Sequence, residues 1–279
     1  MSAKSQKPYR FGFVLGGGGA RGFAHLGAIK ALEEKGIRPD IISGVSAGAV
    51  AGAFIAAGRS PEATHELMKS LSIRDLTNFQ MPKTGLFNLN RLKSLLQEHL
   101  GDKDIKDLEI PLVIAATDIL NGKVTYFKEG DLSTIVQASA SIPVLFSPVK
   151  INDLYYVDGG VFNNVPLEPL KDCCDHTVVI NISPMDKIET LGGIASIAAR
   201  TFQLSVNAAN RSIEGQCDIY LRPEELASYP IFDTQKADEL FEIGYNYTKE
   251  QSFDIPEKTE PGFWQQLTSW FNKRSDVID

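Results

Sequence analysis

A run of four glycines, held between a short apolar segment and an apolar helix, constrains this chain more than any other feature. Residues 10–15 (RFGFVL) read as a buried strand, and Gly16-Gly17-Gly18-Gly19-Ala20-Arg21-Gly22 follows it. From Phe23 to Lys35 the apolar residues Leu26, Ile29 and Leu32 recur at helical spacing, and the pattern stops at Gly36. A strand that passes into a helix through residues without Cβ atoms is the start of an α/β unit. Consecutive glycines can aim several N–H groups at one point, and the helix that follows adds its positive end. The loop is therefore predicted to hold a negative charge. Gly17, Gly19 and Gly22 also fall where a dinucleotide-binding fingerprint would put them.

A second motif decides between an oxyanion and a dinucleotide. Asp40-Ile41-Ile42-Ser43 reads as a strand, and Gly44-Val45-Ser46-Ala47-Gly48 leads from it into a small-residue helix, Ala47 to Ala57. That is the strand–turn–helix context of a nucleophile elbow, in which a sharp turn exposes the serine oxygen. A dinucleotide fold needs an acidic residue at the end of this strand to hold the ribose. Asp40 stands at its start, and the end carries Ser46. Ser46 is the candidate nucleophile, and the N–H groups of Gly17, Gly18, Gly19 and Ala47 are the candidate oxyanion hole. The third motif, Asp158-Gly159-Gly160, follows the aromatic strand Leu154 to Val157. Two glycines behind an aspartate allow it to approach another backbone closely. Without a nucleophile elsewhere the motif would read by default as a plain Asp-Gly turn.

The rest of the chain alternates strands with helices. Helices are expected from Ser60-Pro61-Glu62, over Leu89 to Leu100, Leu132 to Ser139, Ile188 to Ile213 and Gln235 to Lys249. Strands are expected over Pro111 to Ile119, Lys123 to Phe127 and Thr177 to Ile182. A hairpin is expected over residues 149–157 around Asn152-Asp153. The fold class is α/β, with a mostly parallel central sheet carrying helices on both faces and an antiparallel portion at the hairpin.

Composition excludes some partners. The net charge of −7 argues against nucleic acid, since phosphate binding needs a basic field. Three cysteines, two of them the adjacent Cys173 and Cys174, form neither a disulfide framework nor a zinc site. A reducing compartment and a cytoplasmic location are the expectation. The run from Ala47 to Ala57 is too short to span a bilayer. Lys4, Lys7 and Arg10 before Phe11 to Leu15 do not make a signal peptide, because glycines and an arginine stand where cleavage would occur.

The three motifs, in this order, resemble those of the patatin-like phospholipase family. Ala138-Ser139-Ala140-Ser141-Ile142-Pro143 is similar to a further block of that family, as are Asn164 and Pro166. The resemblance spans roughly residues 10–170, looks like that of the compact bacterial members, and has no counterpart in any motif after about residue 185. It implies a three-layer α/β/α sandwich and a catalytic dyad of Ser46 and Asp158 without histidine. It also implies cleavage of acyl esters of phospholipids or lysophospholipids, and no cofactor or metal. Of the four histidines only His25, in the helix after the glycine loop, lies near the motifs; the expected role is packing or support. Arg21 is expected either to meet a lipid phosphate or to hold the loop. An acyltransferase using the same serine, or a non-catalytic lipid-binding protein, stay open as alternatives. Malonyl-transferase-type folds place a histidine beside the serine, where this chain has Val45.

Three segments are expected: a disordered stretch over 1–9, the hydrolase domain over 10–255 and an amphipathic helix over 256–279. In the last, Phe263, Trp264, Leu267, Trp270 and Phe271 form one apolar stripe near Lys273-Arg274. That stripe suits docking on the fold or peripheral association with a membrane.

Overall fold

A computed structural model describes residues 7–69, 89–185, 187, 192–209 and 213–253. The aromatic stripe near the C-terminus lies outside these residues. Eight strands form one sheet: β1 (Tyr9–Leu15), β2 (Ile41–Val45), β3 (Leu112–Asp118), β4 (Lys123–Phe127), β5 (Val149–Ile151), β6 (Leu154–Asp158), β7 (Cys174–Ile180) and β8 (Ile219–Leu221). Their spatial order is β5-β6-β3-β2-β1-β7-β8, with β4 also paired to β3. From β3 to β8 the neighbours run parallel, while β4, β6 and β5 add antiparallel pairs. The expected mostly parallel sheet with an antiparallel hairpin is thus present.

Seven helices belong to the described residues: α1 (Phe23–Glu34), α2 (Ala47–Ala56), α3 (Pro61–Lys69), α4 (Asn90–Leu100), α5 (Leu132–Ser139), α6 (Ile194–Ala209) and α7 (Ala237–Glu250). The helix expected over 188–213 begins only at Ile194, because Gly192 and Gly193 offer a helix neither side-chain packing nor restricted backbone freedom. β8 was not anticipated, since three residues are too few to show a period. β7 starts three residues before the expected Thr177. Polar Asp175 and His176 hide its first half in the sequence, yet His176 stacks on Phe11.

The central strands β2 and β3 are buried on both faces, which is why they are almost continuously apolar. Along β1, Phe11, Phe13 and Leu15 enter the larger core cluster with α1, α2, α4, α5 and α7. Val14 faces the other way, toward Val165, Leu167, Leu170 and Val179, so a turn-rich stretch after β6 covers part of that face. Among the described residues no helix is long and apolar enough to cross a membrane.

This topology gathers the three motifs. The glycine loop and Ser46 follow the adjacent parallel strands β1 and β2, at the same edge of the sheet. β3 continues beyond the end of β2, and β6 runs back along that extension. Val45 is level with Ala115, and Ala116 pairs with Asp158, so Ser46 and Asp158 flank Ala116 from opposite sides.

Candidate active site

Ser46 leaves β2 with φ 54 and ψ −122 and acts as N-cap of α2. A non-glycine residue in that region carries strain of about 1–3 kcal/mol and stays there only when its surroundings hold it. The holding groups are specific. The Ser46 N–H donates to Ser139 Oγ at 2.9 Å, and Ser139 Oγ donates to the Ala115 carbonyl at 2.7 Å. The Ser46 carbonyl accepts the N–H groups of Ala49 and Val50, the first turn of α2. Gly48 lets this turn sit on β1, because a Cβ there would strike the Leu15 carbonyl. Ser139→Ala leaves the buried Ser46 N–H unpaired. The expected result is a loss of about 1–3 kcal/mol in stability and a larger fall in kcat than in KM. Thermal unfolding and steady-state kinetics measure the two, and no change in either removes the tether from the account.

Asp158 closes β6 and is fully buried. Its N–H donates to the Ser141 carbonyl at 2.8 Å, and its Oδ1 accepts the Gly160 N–H at 2.8 Å. Oδ2 is buried and has no hydrogen bond. Burial pushes the carboxyl up to about 7, opposed by the Ser46 hydroxyl and then by the Gly160 N–H. The hydroxyl is thus near enough to favour the carboxylate, although no Ser46–Oδ2 hydrogen bond is closed. Gly159 permits the approach, since a Cβ there would come within 2.8 Å of Val45 Cγ2 and collide with the Ala115 carbonyl.

The glycine loop supplies donors, but not all four expected ones. The Gly17 N–H donates to the Asn164 carbonyl at 3.2 Å and so belongs to the scaffold, which corrects its place in the oxyanion hole. Asn164 Nδ2 and Ser183 Oγ both donate to the Gly17 carbonyl. The N–H groups of Gly18, Gly19 and Ala47 are left without an acceptor among the described residues. Gly19, at φ +61, uses the left-handed freedom of glycine to make this turn.

These blocks coincide with a known family. The family model described as patatin-like phospholipase matches residues 13–171. The chain belongs to the patatin-like phospholipase family. An uncharacterized NTE family protein of Mycobacterium tuberculosis is 34% identical over 178 residues, covering 62% of this chain and 49% of that protein. A protein of Candida albicans named lysophospholipase NTE1 is 26% identical over 298 residues, covering 95% of this chain and 21% of that protein. The chain therefore spans half or less of the length of these relatives. Among solved structures, VipD from Legionella pneumophila has a TM-score of 0.59 at 16% identity, covering 89% of this chain and 68% of that one; it shares the fold.

Within this patatin-like chain the remaining candidates support the site. His25 is fully buried, and its Nε2 lies 2.8 Å from the Gly16 carbonyl, to which it donates. Burial pushes its pKa down to about 4, so the ring is neutral and steadies the loop. Of the two roles expected for Arg21, its contacts are those of a brace. Its Nε donates to the Tyr229 carbonyl, one terminal nitrogen to Pro184 and the other to Ala227, at 2.8, 2.8 and 3.2 Å. Asp40 caps the opposite end of the sheet by accepting the N–H groups of Arg10 and Phe11. The roles of Ser139, Ser141 and Ser183 were not readable from the motifs, because each acts through a backbone group distant in sequence.

Proposed function

We propose that the chain is a serine acyl hydrolase that cleaves carboxylic ester bonds of lysophospholipids, phospholipids or related acyl lipids. The observation that carries this reading is the strained Ser46 beside a fully buried Asp158 whose Oδ2 is unpaired. Family membership and the relative named a lysophospholipase support it.

In this mechanism the Asp158 carboxylate removes the Ser46 hydroxyl proton as Oγ attacks the ester carbonyl. The carbonyl electrons move onto oxygen, where Gly18, Gly19 and Ala47 donate N–H groups. Collapse expels the alcohol, which takes the proton from Asp158. Water, deprotonated by Asp158, then attacks the acyl-Ser46 ester; collapse releases the carboxylic acid, and Asp158 returns the proton to Ser46 Oγ. Carboxylates are usually weak bases for a hydroxyl, and burial compensates by lifting Asp158 to about 7.

The pH profile tests this assignment. The base acts as the carboxylate, so kcat/KM on an uncharged monoacylglycerol should fall as pH drops, with half its plateau near pH 7. Released fatty acid is quantified by chromatography. His25, held near 4, adds no limb in this range. A profile flat from pH 5 to 8 overturns Asp158 as the base. Lysophospholipid, phospholipid and monoacylglycerol substrates compared at the plateau define the head group, and vesicle sedimentation tests the peripheral membrane association that belongs to this reading.

A further inference from the structure

Two cavities meet at Ser46 and share Gly19, Ile142, Ile231 and Phe232 in their walls. The larger, of about 540 Å³, is lined partly by polar side chains, including Asn164, Ser183, Gln203 and Asn207. The smaller, of about 140 Å³, runs along α2 and is lined by Val50, Phe54, Met68, Leu92, Leu95 and Phe146, among others. At the scissile carbonyl the acyl chain and the alcohol must depart in different directions, and two cavities begin there, one almost wholly apolar and one whose largely apolar wall also carries polar side chains.

We infer that the smaller cavity is an acyl-chain site that reads only the first part of the chain, and that the larger one takes the alcohol with its head group. This rests on Ser46 being the nucleophile of an ester hydrolase. Ser46, Val50 and Phe54 succeed one another every fourth residue and so form one wall of the pocket. Phe54 and Leu95 are fully buried in its lining, and Met68 is a half-buried lining residue. An apolar cavity of about 150 Å³ holds a benzene molecule, so this one accepts about six carbons beyond the carbonyl. Each methylene buried there should raise kcat/KM about three- to fourfold, and methylenes beyond that length should add nothing comparable.

A series of p-nitrophenyl esters from acetate to dodecanoate, kept below micelle-forming concentrations, tests this with wild type, Val50→Phe and Met68→Ala. In the wild type, kcat/KM should climb steeply to a chain of about seven or eight carbons and then level. Val50→Phe narrows the pocket one turn from Ser46 and should lower the octanoate-to-acetate ratio at least about tenfold. Met68→Ala shortens a lining side chain and should move the levelling point to longer chains. Circular dichroism checks that each variant is folded, and Met68→Ala, altering a half-buried residue, keeps the test decisive if Val50→Phe is not. A flat wild-type series, or variants that change every ester by one factor, overturns the acyl-site assignment while leaving the hydrolase reading intact. Absence of any Ser46-dependent ester cleavage defeats the hydrolase reading itself.

Discussion

Ser46→Ala should reduce ester hydrolysis by on the order of 10⁴-fold or more, because removing the nucleophile removes the covalent route. The substitution should spare the fold. Alanine meets the same φ restriction as serine, and the groups that hold the elbow contact the backbone of residue 46, not its hydroxyl. Far-ultraviolet circular dichroism and the thermal midpoint should therefore stay close to wild type. Activity retained within severalfold on purified protein would show that another group performs the attack.

Asp158→Asn should be nearly as inactive as Ser46→Ala, and the double substitution no worse than either, since members of one catalytic unit are not additive. It should also be more stable than wild type, because the carboxyl it replaces is fully buried and costly to ionise. The folded carboxyl titrates near 7, against about 3.9 in an unfolded chain. Between these values the folded state holds a proton that the unfolded state has released, so stability falls as pH rises through this window. Above pH 7 the full burial penalty remains, about 4 kcal/mol at most. Asparagine stays neutral and can still accept the Gly160 N–H. Its stabilising effect should grow by about 2–3 kcal/mol between pH 5 and pH 8, read as a widening gap in thermal midpoint. A variant that is active, or one whose relative stability does not depend on pH, contradicts a buried base at this position.

The motifs were legible because each encodes a local backbone demand. Three of the four loop glycines (Gly17, Gly18 and Gly19), the elbow around Ser46 and the glycines after Asp158 mark places where a Cβ would collide or a left-handed turn is required. Their meeting was not legible. It depends on β6 running back along the extension of β3, and that register is set by pairings between residues far apart in the chain. The same distance hid which of the candidate oxyanion donors are free to act. Gly17 looks equivalent to Gly18 in sequence, but Asn164, brought in after β6, engages its N–H. Arg21 looked equally suited to a phosphate until the carbonyls of Pro184, Ala227 and Tyr229 closed around it. The end of α2 and the walls contributed by α4 leave no periodic signature of a pocket, since their residues read as ordinary core.

In the proposed mechanism Ser46, activated by Asp158, becomes acylated. Intact-protein and peptide mass spectrometry after treatment with a fluorophosphonate tests it most directly. A single adduct on the peptide containing Ser46, absent from Ser46→Ala and formed far more slowly by Asp158→Asn, is the expected result. No adduct on folded wild-type protein, or an adduct on another residue that persists in Ser46→Ala, would contradict the account.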